Sequence, residues 1–227
     1  MVHYNKIKEK YPDCVVFYRL GDFYEMFFDD AVRVSKMLDL TLTGRDCGLD
    51  EKAPMCGIPY HAADEYISKL VGQGEKVAIC EQLEDPSQAK GLVERDVIKI
   101  VTAGTVTEES LIDEKENNFI ACAYYGEKGS ALSWCDITTG EFYAKKCETA
   151  DVLNELSDNL TRINPSEIIC NEKLAAVSDD LPVVKHRVIP RPRKYADDNF
   201  LFRNAEIALK EQFGVISFKA FGIDEND

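Results

Sequence analysis

The spacing of apolar positions changes several times along the chain, and each change marks an element. CVVFYRL at 14–20 is apolar almost throughout and rich in β-branched and aromatic residues, which predicts a buried strand. After Gly21 the period lengthens. Phe27, Ala31, Val34 and Leu38 fall on one face of a helix over 23–38, with Asp29, Arg33 and Lys36 turned away from it. Asp22 and Glu25 stand three apart at its start, the spacing of an acidic capping box. After the polar stretch RDCGLDEKAP comes a compact MCGIPYH segment. Ala63, Tyr66, Ile67 and Leu70 then line a second helix over 62–72, ended by GQG. KVAICEQ (76–82) and ERDVIKIVT (94–102) predict two more strands, so residues 1–104 read as a small mixed α/β domain.

Residues 103–118 carry few large apolar side chains and many acids, and 105–118 is expected to link two domains. Beyond it, FIACAYY, SALSWCDITT and EFYAKKC predict strands of a hairpin meander, divided by GEKG and by a turn at Gly140. A helix over about 149–161, strands at SEIIC and PVVKHRVI, and a helix over about 198–212 leading into VISF complete the pattern. Antiparallel strands first, then alternating helix and strand, predict a ribonuclease H-like α/β domain over 119–227. Its closing FGIDEND completes no element, so the chain is expected to be part of a longer protein.

Length and composition fit this two-domain α/β reading: 227 residues, 45% hydrophobic and 30% charged. No apolar run is long enough to span a membrane, and the first residues predict no secretory leader. The eight cysteines form no C-x-x-C and do not cluster with the three histidines, so reduced thiols and a cytoplasmic location are expected, with no metal site. The net charge of −14 speaks against a protein that binds nucleic acid through its overall charge. Residues 1–104 hold 13 Lys and Arg against 18 Asp and Glu, so even the less acidic half is not basic.

Phosphate-binding glycine loops and nucleophile elbows are absent from the sequence, and no catalytic residue is assigned. Asp136 invites a metal-nuclease reading, but two-metal hydrolysis needs several converging carboxylates and FIACAYY supplies none; a strand-end or turn aspartate is the plainer reading. Phe23, in RLGDFYEMFFDDA, has two readings. It can pack in the core, 60° or so from the centre of the helical stripe, or stand at the edge of the domain beside the Gly21 corner.

Four blocks separate these readings. VVFYRLGDFYEMFFDDAVRVSKMLDLTLTGR, APMCGIPYHA, YISKLVGQGEKVAICEQLEDP and GLVERDVIKIVTAGT resemble, in order, the amino-terminal part of the bacterial MutS family of DNA mismatch repair proteins. DITTGEF, NPSEII and the closing FG resemble, more loosely, the connector domain of that family. The resemblance covers nearly the whole chain but none of the family's lever, clamp or ATPase domains.

It implies that Phe23 enters mispaired DNA and that Glu25 hydrogen-bonds the base beside it. Arg45 and Arg95 would lie near the duplex, while Met55, Gly57 and Tyr60 would form a tight loop beside Phe23. His61 would cap the next helix or approach DNA. It further implies a homodimer that encircles mismatched double-stranded DNA, with most backbone contacts made by the clamp, which answers the charge objection. MutL is the implied protein partner, and ATP and Mg are implied for the full-length protein only. Two other classes stay open: a ribonuclease H-like metal-dependent nuclease, which needs three acids meeting around Asp136, and a non-catalytic protein-docking scaffold, in which Phe23 is buried.

Overall fold

The strands predicted at 14–20, 76–82 and 94–102 lie side by side in one sheet, although more than fifty residues separate the first two. The structure is a computed structural model that describes residues 1–48, 51–84, 93–107, 117–127, 129–185 and 189–222. It divides into two compact units, Met1–Asn118 and Phe119–Asp227.

The first unit contains α1 (Val2–Lys10), β1 (Cys14–Leu20), β2 (Phe23–Phe27), α2 (Phe28–Met37), β3 (Thr43–Arg45), β4 (Ala53–Pro59), α3 (Ala63–Gly72), β5 (Lys76–Gln82) and β6 (Arg95–Val101). Its six-stranded sheet runs β3-β4-β2-β1-β5-β6, with β1 and β5 parallel and every other neighbouring pair antiparallel. Strand pleating sends alternate residues to opposite faces. Val15, Phe17, Tyr24, Met26, Cys56 and Ile58 meet Ala31 and Val34 of α2 and Ile67 and Leu70 of α3 on one face. Cys14, Val16, Tyr18, Phe27 and Cys80 meet Tyr4 and Ile7 of α1 on the other.

The helix expected over 23–38 is corrected here. Its first five residues are strand, and the helix begins at Phe28. Residues 23–27 alternate with period two, because β1 and β4 pair with them on both sides and leave no backbone groups for a helical turn. The chain passes from strand to helix through Phe28 at φ 53°, in the left-handed region that a phenylalanine rarely occupies. No capping box forms: the residue before the helix is Phe27, without a side-chain cap, and Asp29 and Asp30 occupy the first turn instead. Asp30 is buried and accepts from the Lys8 ammonium at 2.9 Å and from the Val16 N–H at 3.2 Å, tying α1 to the sheet.

The second unit contains β7 (Phe119–Tyr125), β8 (Ser130–Asp136), β9 (Glu141–Cys147), α4 (Val152–Ile163), β10 (Glu167–Cys170), α5 (Glu172–Val177), α6 (Pro182–Lys185), β11 (Arg193–Lys194) and α7 (Phe202–Phe213). The order β11-β10-β7-β8-β9, antiparallel through β7–β9 and parallel from β7 to β11, is the ribonuclease H-like arrangement the pattern predicted. Leu156 and Leu160 of α4 and Leu174 of α5 pack on Ala121, Ala123, Leu132 and Ile168. One expectation fails. Pro182–Lys185 is a helical turn rather than the start of a strand, because Leu181, Val183 and Val184 make a short buried run that periodicity cannot assign; residues 186–188 lie outside the described residues. After α7 the chain turns at Gly214, φ 63°, and VISF forms no strand. In the stretch expected to link the domains, Val106 is buried in the first unit's core, and 108–116 lie outside the described residues.

Candidate functional site

Phe23 owes its position to a two-residue turn. Leu20 pairs with Phe23 across the β1–β2 hairpin, so Gly21 and Asp22 alone make the connection. Gly21 takes φ 58° and Asp22 keeps a negative φ, the pattern of a type II′ turn, which calls for glycine at its first position. The Tyr60 N–H donates to the Asp22 carbonyl at 3.0 Å and fastens the turn to the end of β4. At this corner Phe23 is 49% exposed, whereas Phe27, on the same face of the same strand, is 1% exposed under α1. Leaving half a phenyl ring in water forgoes about 1 kcal/mol of burial.

Registers bring most of the site residues predicted from the sequence onto that same sheet face. Phe23, Glu25 and Phe27 lie opposite Pro59, Gly57 and Met55 of β4, and Met55 lies opposite Thr43 of β3, two residues from Arg45. MCGIPYH is therefore chiefly a strand, not a tight loop, although it does flank Phe23; the backbone hydrogen bonds of β2 and β3 draw it straight. Its last residues turn into one 3-10 turn, Tyr60–Ala62, where the His61 ring meets the Tyr60 ring at 5.8 Å. His61 does not cap α3, whose first turn follows Ala62 with no side-chain cap. A Cβ at Gly57 would stand 3.3 Å from the Tyr24 carbonyl oxygen and 3.5 Å from Cγ of Glu25, so glycine leaves room for the glutamate side chain.

Glu25 does not wait as a bare carboxylate. Its Oε2 accepts a hydrogen bond from Nη1 of Arg45, whose guanidinium also lies 5.9 Å from the Phe27 ring centroid. The Glu25 side chain is 16% exposed and that of Arg45 43%. Arg95 is placed differently. Its Nε donates to the Arg19 carbonyl at 2.9 Å and its Nη1 to the Val93 carbonyl at 2.8 Å, and the guanidinium faces the Tyr18 ring. It braces β1 just before the hairpin turn.

Sequence reading missed a clasp on the other face. Arg19 donates through Nε to the Gly21 carbonyl at 2.5 Å, and its guanidinium stacks 3.6 Å from the centroid of the Tyr60 ring. It also lies 3.5 Å from a Glu81 carboxylate oxygen that accepts the Tyr24 hydroxyl. Burial first, and the neighbouring Glu81 second, push the Tyr24 hydroxyl well above the usual tyrosine range, so it stays a donor. Nothing local announces this clasp, because Arg19 and Glu81 are far apart in sequence and meet only through β1–β5 pairing.

Asp136 lies elsewhere, 1% exposed at the end of β8. Its carboxylate accepts from the Thr138 N–H at 2.8 Å and the Thr138 hydroxyl at 2.6 Å, which makes it a turn residue. Among the described residues no group of three His, Cys, Asp or Glu comes together to hold a metal ion, so the convergence that the nuclease alternative needs does not form there. The exposed Phe23 likewise removes the observation on which the docking-scaffold alternative depended. No helix of the described residues is long and apolar enough to cross a membrane.

Residues 1–110 match the family model for MutS domain I, and residues 118–227 match that for MutS domain II. The chain is 47% identical, over 94% of its length, to the DNA mismatch repair protein MutS of Ruminiclostridium cellulolyticum, and covers 24% of that protein. It is 45% identical over 99% of its length to the protein of the same name from Lachnoclostridium phytofermentans, and 42% identical over its whole length to that from Alkaliphilus oremlandii. It spans about a quarter of the length of these curated relatives. With both of its units matched in order by successive domains of one protein, the chain belongs to the MutS family.

Proposed function

We propose that this chain is the lesion-reading end of a full-length mismatch repair protein, and that Phe23 is the group that tests the duplex. The observation carrying this reading is an aromatic ring left half in water at the tip of a braced two-residue turn, beside a partly exposed carboxylate. An aromatic side chain entering from the minor groove must unstack a base step and kink the helix, which costs roughly a few kcal/mol. Stacking on one base returns about 1–3 kcal/mol. On paired DNA the two nearly cancel. A mispaired or unpaired base is already loosely stacked and its step bends easily, so the balance turns favourable there. Selectivity then follows deformability rather than sequence, which lets one ring serve many lesions.

Glu25 adds discrimination. Its carboxylate can accept a hydrogen bond from a base N–H that mispairing exposes. Matched duplex offers no such donor. The clasp of Arg19, Tyr60 and Glu81 holds the turn so that the ring arrives already oriented.

The second unit transmits the state of the DNA site to an ATPase that uses ATP and Mg in the full-length protein, and offers a face to MutL. The full-length protein works as a homodimer in the cytoplasm, and the residues of this chain perform no bond-breaking step themselves. Taken alone, the chain binds DNA weakly, because the remaining three-quarters of the protein supplies most of the contacts.

Anisotropy titration of the full-length protein tests the reading. Phe23→Ala is expected to remove preference for a G·T heteroduplex over matched duplex. Equal preference in wild type and variant would overturn it.

A further inference from the structure

The carboxylate of Glu25 sits where a phosphodiester backbone is expected to arrive, and that is an awkward place for a negative charge. In the structure the charge is already answered: Arg45 reaches from the edge strand β3 to donate to Glu25, against the ring of Phe27 and over a strand that presents only Gly57 beside the glutamate. The other two arginines near the hairpin are committed to the fold, Arg19 to the Gly21 carbonyl and Arg95 to the carbonyls of Arg19 and Val93. Arg45 has a side chain for its partner, and 43% of its own side chain faces solvent. An ion pair open to solvent on its arginine side is held less firmly than one enclosed on both sides, so its members can take new partners.

We propose that Arg45 is a partner-exchange residue that sets the specificity of the site. On matched duplex Glu25 finds no base donor and stays on Arg45, which neutralises it and keeps the guanidinium from the backbone. At a lesion Glu25 turns to the exposed base N–H, and Arg45 is released to a phosphate oxygen, which accepts its N–H groups well. The lesion complex thereby gains a phosphate contact that the matched complex lacks. This inference rests on the function proposed above.

Salt dependence separates it from a purely structural pair. Each phosphate neutralised steepens the fall of log affinity with log salt by about 0.9. Full-length protein is titrated against G·T and matched duplexes at several salt concentrations. Arg45→Ala is expected to make the G·T slope shallower by about 0.9 and to leave the matched slope unchanged. Glu25→Gln, which frees Arg45 on every duplex, is expected to steepen the matched slope by about the same amount. An unchanged G·T slope in Arg45→Ala, or equal losses on both duplexes, would overturn the exchange while leaving the reading of Phe23 intact. A wild type with no G·T preference overturns both. If Arg45→Ala melts early by circular dichroism, the Glu25→Gln slopes decide alone: a steeper matched slope upholds the exchange and an unchanged one overturns it.

Discussion

Each unit carries an acid that draws attention in the sequence, and the two sheets treat them in opposite ways. In the first unit Glu25 lies on a sheet face that α1 covers only in part, paired with a half-exposed arginine. In the second unit Asp136 is sunk at a strand end, with its carboxylate accepting from the Thr138 N–H and hydroxyl. The chemistry of the two side chains is nearly the same. What differs is the setting: the first acid is paired with a side chain partly in solvent, whereas the second is enclosed by its own turn.

The comparison breaks most visibly at the hairpin. Phe23→Ala in the full-length protein is expected to cut G·T preference by roughly 5- to 150-fold, the equivalent of about 1–3 kcal/mol of lost stacking. Its thermal midpoint should hardly move, because the ring contributes little to the core. A large drop in midpoint would mean that the ring serves packing after all. Asp136→Ala should do the reverse. Removing a buried acceptor from its turn costs about 1–3 kcal/mol, read as a lower midpoint, with G·T preference untouched. Loss of preference at full stability would place Asp136 in the DNA site instead.

Gly21→Ala sharpens the link between turn and ring. At φ 58° a methyl group costs about 1–2 kcal/mol, although nothing lies within 4 Å of it, so the penalty is conformational. Preference for G·T should fall with it, since Phe23 is aimed by this turn.

The smallest effect is expected at Glu155. Its carboxylate accepts from the N–H groups of Thr149 and Glu148, and these bonds, Thr149 first, bring its pKa down to about 2. A depressed folded-state value stabilises above the ordinary carboxylate range, and that contribution is lost as pH falls towards about 2. Acid titration of Glu155→Gln should show a correspondingly weaker loss of midpoint. An identical profile would remove the bonds from the explanation.

Much of the architecture was legible in residue pattern, and the failures have physical causes. CVVFYRL, apolar almost throughout, and the α3 and α4 segments fold as expected. FYEMFF fits both a helical stripe and a two-sided strand. Pairing with β1 and β4 decides it, and those partners lie outside any local window. Nor does any pattern announce the left-handed Phe28 that lets strand run directly into helix. At the site, Phe23 and Glu25 stood out through the quoted blocks. Arg45 stood out there too, but the contacts that support the pair did not. Arg45 meets Glu25 twenty residues away through an intervening strand, and the Arg19–Glu81 contact depends on a parallel pairing.

The central claim is that the Phe23 ring enters a loosened base step, and a fluorescent base tests it most directly. With 2-aminopurine placed beside a G·T pair, saturating full-length protein should raise the emission as the step unstacks, and Phe23→Ala should leave it near the level of free DNA. Unchanged emission in the wild-type complex, at a concentration where binding is complete, would contradict it.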